Sequence, residues 1–208
     1  MREPQAIGKQ DHLDQPYSKL EKGARRARTE SLIEAGCSDV KRWSLADNFH
    51  GNWRDRAQTV AAMIGAGDRV LDLGCGKMDL ETALPAGCIY LPSDLVARDD
   101  RTLVCDLNAG ELPAVEADVV TMLGVLEYIH DPSALLVSIA QRWSTLILTY
   151  NPSELDEGRD RLLHGWFNAL TSAQLVAMAE VSGFGLVGIV AVDVRQRLYI
   201  FYRAGYWG

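Results

Sequence analysis

The stretch Val70-Leu71-Asp72-Leu73-Gly74-Cys75-Gly76-Lys77 decides the fold. Residues 69–73 make a short, mostly apolar run that ends on a glycine, which reads as a buried strand. Gly74 and Gly76 let the backbone turn tightly and approach a ligand where a Cβ would clash. Residues 78–84 are expected to form a short helix stopped by Pro85. Strand, glycine turn and helix together read as the opening of a ligand-binding α/β unit. The third glycine of the dinucleotide fingerprint would fall at Asp79. A carboxylate there repels a pyrophosphate, so the expected ligand carries no phosphates.

Working outward, short apolar runs at 88–91, 102–105, 117–123 and 145–150 read as further strands, with Asp94 in a turn 92–94. Asp131-Pro132 starts a helix that buries Leu135, Leu136, Ile139, Ala140 and Trp143. Thr171-Ser172-Ala173-Gln174 has the capping-box form, and its helix runs to Ser182 and ends at Gly183. Runs 186–192 and 198–202 read as a late hairpin. Upstream, residues 1–16 form a polar arm, 17–35 a helix and 47–51 a loop. Asn52 is placed to cap a helix whose apolar stripe is Trp53, Ala57, Val60, Ala61 and Ile64, with Gly65 and Gly67 ending it. Alternating strands and helices imply an α/β, Rossmann-like, doubly wound sheet, with ligands at the carboxyl ends of its strands. The expected division is an N-terminal arm and helical lid over 1–52 and a catalytic domain over 53–208.

The 208 residues suit one such domain with an extension, and 48% hydrophobic with 24% charged residues suit a globular protein. The net charge of −7 argues against a nucleic-acid binder. Lys19, Lys22, Arg25, Arg26 and Arg28 form a local basic cluster, read either as a solvated helix face or as a contact for an anionic partner. Cys37, Cys75, Cys88 and Cys105 show neither C-x-x-C spacing nor a nearby histidine, so reduced thiols and no metal are expected. The N-terminus lacks a signal-peptide core and no run is long enough to span a bilayer, so a cytoplasmic protein without membrane contact is expected.

Asp94 lies about 20 positions beyond the glycine turn, where an acceptor-only carboxylate can hold a ribose diol. Asp106 closes the third strand and reads either as a partner for an adenine amino group, with Leu107 on the base, or as an ordinary Asx turn. Asp118-Val119-Val120-Thr121-Met122-Leu123-Gly124-Val125-Leu126-Glu127-Tyr128-Ile129-His130-Asp131-Pro132 follows. With the D-L-G-C-G turn, this stretch resembles the class I S-adenosylmethionine-dependent methyltransferase superfamily, within it the small-molecule type 11/12 group. The resemblance spans roughly residues 55–203. It implies a seven-stranded sheet whose last strand is antiparallel.

By that resemblance, Asp72, Gly74, Cys75 and Gly76 line the methionine end of the donor, Asp94 holds its ribose, Leu95, Asp106 and Leu107 hold its adenine, and the Leu123 backbone meets its amino group. The chain departs from the family at Lys77-Met78, where a small residue is usual and the pocket is expected to narrow. It departs again at Tyr128, which replaces a histidine. Tyr150-Asn151-Pro152 lacks the second proline of the N-P-P-Y motif and follows the fifth strand, which counts against DNA adenine methylation.

The expected reaction moves the methyl group of S-adenosylmethionine to an O or N atom of a small acceptor. His130 is the first candidate base, with Tyr128 and His164 behind it. Tyr17, Trp43, His50 and Trp53 are candidate acceptor contacts, and Arg54 or Arg56 a partner for the donor carboxylate. The protein is expected to act as a monomer or homodimer. The alternatives are a donor-binding partner or regulatory protein without transfer activity, and a nucleotide-dependent oxidoreductase.

Overall fold

The computed structural model describes residues 15–49 and 53–203. Seven strands form one sheet: β1 (Arg69–Leu73), β2 (Ile89–Asp94), β3 (Leu103–Val104), β4 (Val119–Leu123), β5 (Thr145–Tyr150), β6 (Phe184–Ala191) and β7 (Arg197–Arg203). Their order is β3-β2-β1-β4-β5-β7-β6, and β7 runs antiparallel to both its neighbours. The expected doubly wound sheet with an antiparallel last strand is what the chain forms. The helices are α1 (Lys22–Ala35), α2 (Val40–Ser44), α3 (Arg54–Ala61), α4 (Pro132–Arg142) and α5 (Ser172–Val181).

Strands buried on both faces alternate their side chains between two cores. Leu71, Leu73, Val120, Met122, Leu146 and Leu148 point to the face covered by α4 and α5, where Leu136, Ile139 and Leu175 are fully buried. Val70, Val119, Ile147 and Leu198 point the other way, onto Ala57, Val60 and Ala61 of α3. Each large aliphatic so buried contributes about 1.5–3 kcal/mol. Local signals set the helix starts. Asp131 caps α4 by accepting from Ala134 N at 3.0 Å, with Pro132 next. Thr171 and Gln174 make the reciprocal capping box of α5.

Several elements differ from expectation. The segment after the glycine turn forms only a 3₁₀ turn, Glu81–Ala83, where a helix was expected. Met78 sits at φ +59°, a left-handed conformation that a helix cannot contain. Pro92, Ser93 and Asp94 belong to β2, paired in parallel with β1 through Ser93 and extended by β3 at Asp94, so Asp94 closes a strand rather than lying in a turn. The stretch 17–35 divides into a 3₁₀ turn, Tyr17–Lys19, and α1; α2 occupies a stretch for which no element was expected, and a 3₁₀ turn at Ala46–Asn48 runs into the expected loop 47–51. Asn52 lies outside the described residues.

Three of the five residues of the basic cluster are engaged within the chain. Arg25 turns back on backbone carbonyls, Arg26 pairs with Asp160, and Arg28 pairs with Asp39. Among the described residues no helix is long and apolar enough to cross a membrane.

Candidate active site

The strand order reverses between β1 and β4, which opens a crevice at their carboxyl ends. A cavity of about 290 Å³ lies there. Asp72, Gly74, Cys75, Gly76, Asp94, Leu95, Asp106, Leu107 and Leu123, scattered over 52 positions of sequence, all line it. The chain brings them together because β1, β2 and β4 are neighbours in the sheet.

Gly74, at φ +78°, takes a backbone conformation closed to most residues, and a Cβ there would overlap a Val125 methyl. Gly74 N and Cys75 N both donate to Ser93 O, at 2.8 and 3.0 Å, tying the turn to β2. Asp72 is 2% exposed. It accepts from Thr121 Oγ1 and Tyr90 OH, both at 2.7 Å, but desolvation outweighs those bonds and pushes it up to about 6. Burial likewise pushes the Cys75 thiol well above its usual range, so it carries no thiolate at neutral pH.

Asp94 is crowded. Oδ2 accepts from Gly76 N at 2.8 Å and Arg98 Nε at 3.1 Å, and Oδ1 from Leu95 N at 2.7 Å and Arg98 Nη2 at 3.0 Å. Arg98 Nη1 also donates to Trp43 O at 2.7 Å, and its guanidinium lies 4.5 Å from the centre of the Phe49 ring. Asp106 makes the Asx turn, accepting from Asn108 N at 2.9 Å, and also accepts from Ser38 Oγ at 2.6 Å while lining the cavity.

The segment before the sheet contributes Ser38, Asp39, Trp43, Phe49 and Trp53 to the cavity. The 166–167 loop faces them with Trp166 and Phe167. Arg56, on α3, reaches in so closely that a Cβ on Gly124 would come within 2.7 Å of its Nη1. Burial pushes its guanidinium below the usual range, opposed by the charges of Glu127 and Asp72. Arg54 is 79% exposed at its side chain, stands 4.0 Å from Asp79 and does not line the cavity.

Other nominated residues lie elsewhere. His130 is stacked on Phe167, with ring centres 4.2 Å apart, its Nε2 stands 3.1 Å from Cys37 O, and it does not line the cavity. His164 likewise lies outside it, beside a smaller hollow. Tyr17 is also there, its hydroxyl 3.2 Å from both Thr29 Oγ1 and Leu162 O, clamping α1 to the 161–164 turn rather than facing an acceptor. Burial on a helix-loop seam placed it there, which an aromatic residue in a polar stretch does not announce. His50 lies outside the described residues. Tyr128 does line the cavity, its hydroxyl accepting from Trp166 Nε1 at 3.2 Å. Lys77 and Met78 do not, so they do not narrow it; Lys77 Nζ lies 5.4 Å from the Trp53 ring centre instead.

Arg98, Glu127 and Phe167 carry contacts that sequence reasoning missed. Glu127 left a signal, a lone carboxylate among Val125, Leu126 and Ile129. Arg98 left none, since an i,i+4 pair has meaning on a helix and residues 95–98 are not helical. No cluster of three or more potential metal ligands occurs among the described residues.

Residues 45–187 match a family model described as a methyltransferase domain. No curated protein sequence matches the chain significantly. Among solved structures, the mitomycin 7-O-methyltransferase MmcR is similar over 90% of this chain and 70% of its own, with a TM-score of 0.64 at 19% identity. Magnesium protoporphyrin IX methyltransferase from Synechocystis PCC 6803, with bound S-adenosylhomocysteine, is similar over 88% and 100%, with a TM-score of 0.55 at 18% identity. The putative methyltransferase of Haloferax volcanii in complex with the Trm112 activator is similar over 88% and 97%, with a TM-score of 0.60 at 17% identity.

Proposed function

From the premise that the chain belongs to the methyltransferase domain family, we propose that it moves the methyl group of S-adenosylmethionine to an O or N atom of a small-molecule acceptor. One observation carries this reading: the nine residues nominated for the donor line a single cavity at the switch point of the sheet. Three features fit that donor. Gly74 and Gly76 bring bare backbone to the cavity. Arg56 supplies a cation for a carboxylate, and the carboxylates of Asp72 and Asp94 lie on the same wall for cationic and hydroxyl groups. The turn is followed by Asp79 and no helix, so it offers no helix N-terminus for a pyrophosphate, against the oxidoreductase alternative.

S-adenosylmethionine, when bound, supplies a methyl group already activated on a sulfonium. The protein's task is therefore alignment and exclusion of water. Leu95 and Leu107 offer apolar faces for the adenine, while Asp94 and Asp106 accept from the nucleoside's donors. Trp43, Phe49 and Trp53 cover the crevice from the N-terminal side as a lid, and Tyr128, Trp166 and Phe167 wall the side assigned to the acceptor. The occupied state of Asp94 favours one second reading, a donor-binding or regulatory protein without transfer activity.

Calorimetric titration with S-adenosylmethionine, S-adenosylhomocysteine and NAD, on wild type and Asp94→Ala, tests the proposal. Micromolar binding of both adenosyl ligands, lost in the variant and absent for NAD, is expected. Folded protein that binds neither adenosyl ligand refutes it, and binding without methyl transfer to any acceptor supports the second reading.

A further inference from the structure

Glu127 stands on a 3₁₀ turn, Leu126–Tyr128, just beyond β4, and is 1% exposed. Its Oε1 accepts from Asn151 N at 2.9 Å and from Asn151 Nδ2 at 2.8 Å. Its Oε2 is buried and has no hydrogen-bond partner, and the residue lines the active-site cavity. Leaving a buried acceptor unpaired is costly, and more so for a charged group. The two bonds from Asn151 fix the carboxylate through Oε1 and leave Oε2 without a partner. Burial pushes Glu127 up, so the oxygen takes a proton more readily than an ordinary carboxylate.

The surroundings say what kind of ligand. Phe167 N donates to the backbone carbonyl of Glu127 at 2.7 Å, which ties the Trp166-Phe167 pair to the turn that carries Glu127, and all three residues line the cavity. Tyr128 packs edge-on against both Phe167 and Trp43. Flat rings of this kind favour a planar, π-rich guest. Six acidic side chains line the cavity against two cations, Arg56 and Arg98; with the Asp94–Arg98 and Asp39–Arg28 pairs set aside, Asp72, Asp79, Asp106 and Glu127 stand against Arg56. An anionic guest is opposed by that balance.

Resting on the methyltransferase reading, we propose that Glu127 Oε2 receives the hydrogen of the acceptor's N–H or O–H, and that the acceptor is a planar aromatic molecule without a carboxylate or phosphate. In the step this implies, the acceptor atom's lone pair forms the new bond to the methyl carbon. The carbon–sulfur bond of the sulfonium donor breaks, and its electron pair stays on sulfur. The acceptor's proton passes to Glu127 Oε2, leaving a thioether, a methylated acceptor and a neutral carboxyl.

The test is calorimetric titration of the full chain, saturated with S-adenosylhomocysteine, with 1-naphthol, 1-naphthylamine and 1-naphthoate. Wild type should bind the two neutral probes about tenfold or more tighter than the carboxylate. Glu127→Gln keeps the side-chain shape and an acceptor for Asn151, and should narrow that difference to about threefold while leaving S-adenosylhomocysteine affinity within about twofold. Absence of 1-naphthol binding, or a preference unchanged by the substitution, overturns the inference. If the variant does not fold, the wild-type preference alone decides. Failure of wild type to bind S-adenosylhomocysteine is a separate result that overturns the methyltransferase reading itself.

Discussion

Arg98 closes a bidentate ion pair on Asp94, with Nε 3.1 Å from Oδ2 and Nη2 3.0 Å from Oδ1. A carboxylate offers about four lone-pair sites. Gly76 N and Leu95 N take the other two, so a ribose diol can bond to Asp94 only if Arg98 withdraws. Because Arg98 also holds Trp43 O, its withdrawal loosens the N-terminal segment over the cavity. Arg98→Ala should therefore tighten S-adenosylhomocysteine binding by about tenfold, roughly 1.4 kcal/mol. Asp94→Ala should weaken it by about 100-fold. Calorimetry reads both, and weaker binding by Arg98→Ala would mean that Arg98 helps to hold the ligand.

Asp72 links the site to pH-dependent stability. Its carboxyl, pushed up to about 6, lies above the ordinary value of 3.8 that it regains on unfolding. The native state binds the extra proton between those values, so this group's contribution is full below about pH 4 and is lost as pH rises through about 6. The loss amounts to roughly 3 kcal/mol at 1.36 kcal/mol per pH unit. Urea unfolding at pH 4.5 and pH 7, which spans about 2 kcal/mol of that loss, should show it in wild type and not in Asp72→Asn. Equal pH slopes in the two proteins would rule it out.

Gly74→Ala meets two separate obstacles, the left-handed φ of +78° and the Val125 methyl. The backbone cost alone is about 1–2 kcal/mol. The variant should lose about 2–4 kcal/mol of stability, overlap included, and its adenosyl-ligand binding. Val125→Ala added to it should restore the steric share and leave the backbone share. Urea unfolding of the four proteins of the cycle separates the two, and a full restoration would show that φ costs nothing here.

Tyr17 and His130 give the opposite signature. Tyr17→Phe removes hydroxyl contacts to Thr29 and Leu162 and should lower stability by about 1 kcal/mol with adenosyl-ligand affinity unchanged. His130→Ala removes a ring stacked on Phe167 and should also leave that affinity unchanged. A tenfold loss of affinity in either variant would place that residue at the site.

The residues of the glycine turn and the caps at Asp131 and Thr171 were legible because each depends on chemistry within a few positions of chain, whereas Asp94 was read into a turn and instead closes β2, whose length is set by pairing with β1 and β3. The helix after Gly76 was misread because an apolar pattern over seven residues is too short to separate a helix from turns, and Met78 takes a positive φ. Tyr17 and His130 were misplaced because an aromatic or imidazole ring is equally at home in a seam between elements and in a pocket.

By itself, then, the sequence determined the alternation of elements and the bare backbone at Gly74, because strand periodicity, capping and glycine stereochemistry are local properties, while the set of residues gathered at the strand ends came with the family resemblance. Only the tertiary structure decided how their charges are spent. Arg98 rests on Asp94, Arg56 enters from α3, and Glu127 is tied to Asn151 by one oxygen while the other stays free. Those relationships join β2, β4, β5 and the N-terminal segment, and a carboxylate's partners depend on distance and burial in space rather than on separation along the chain.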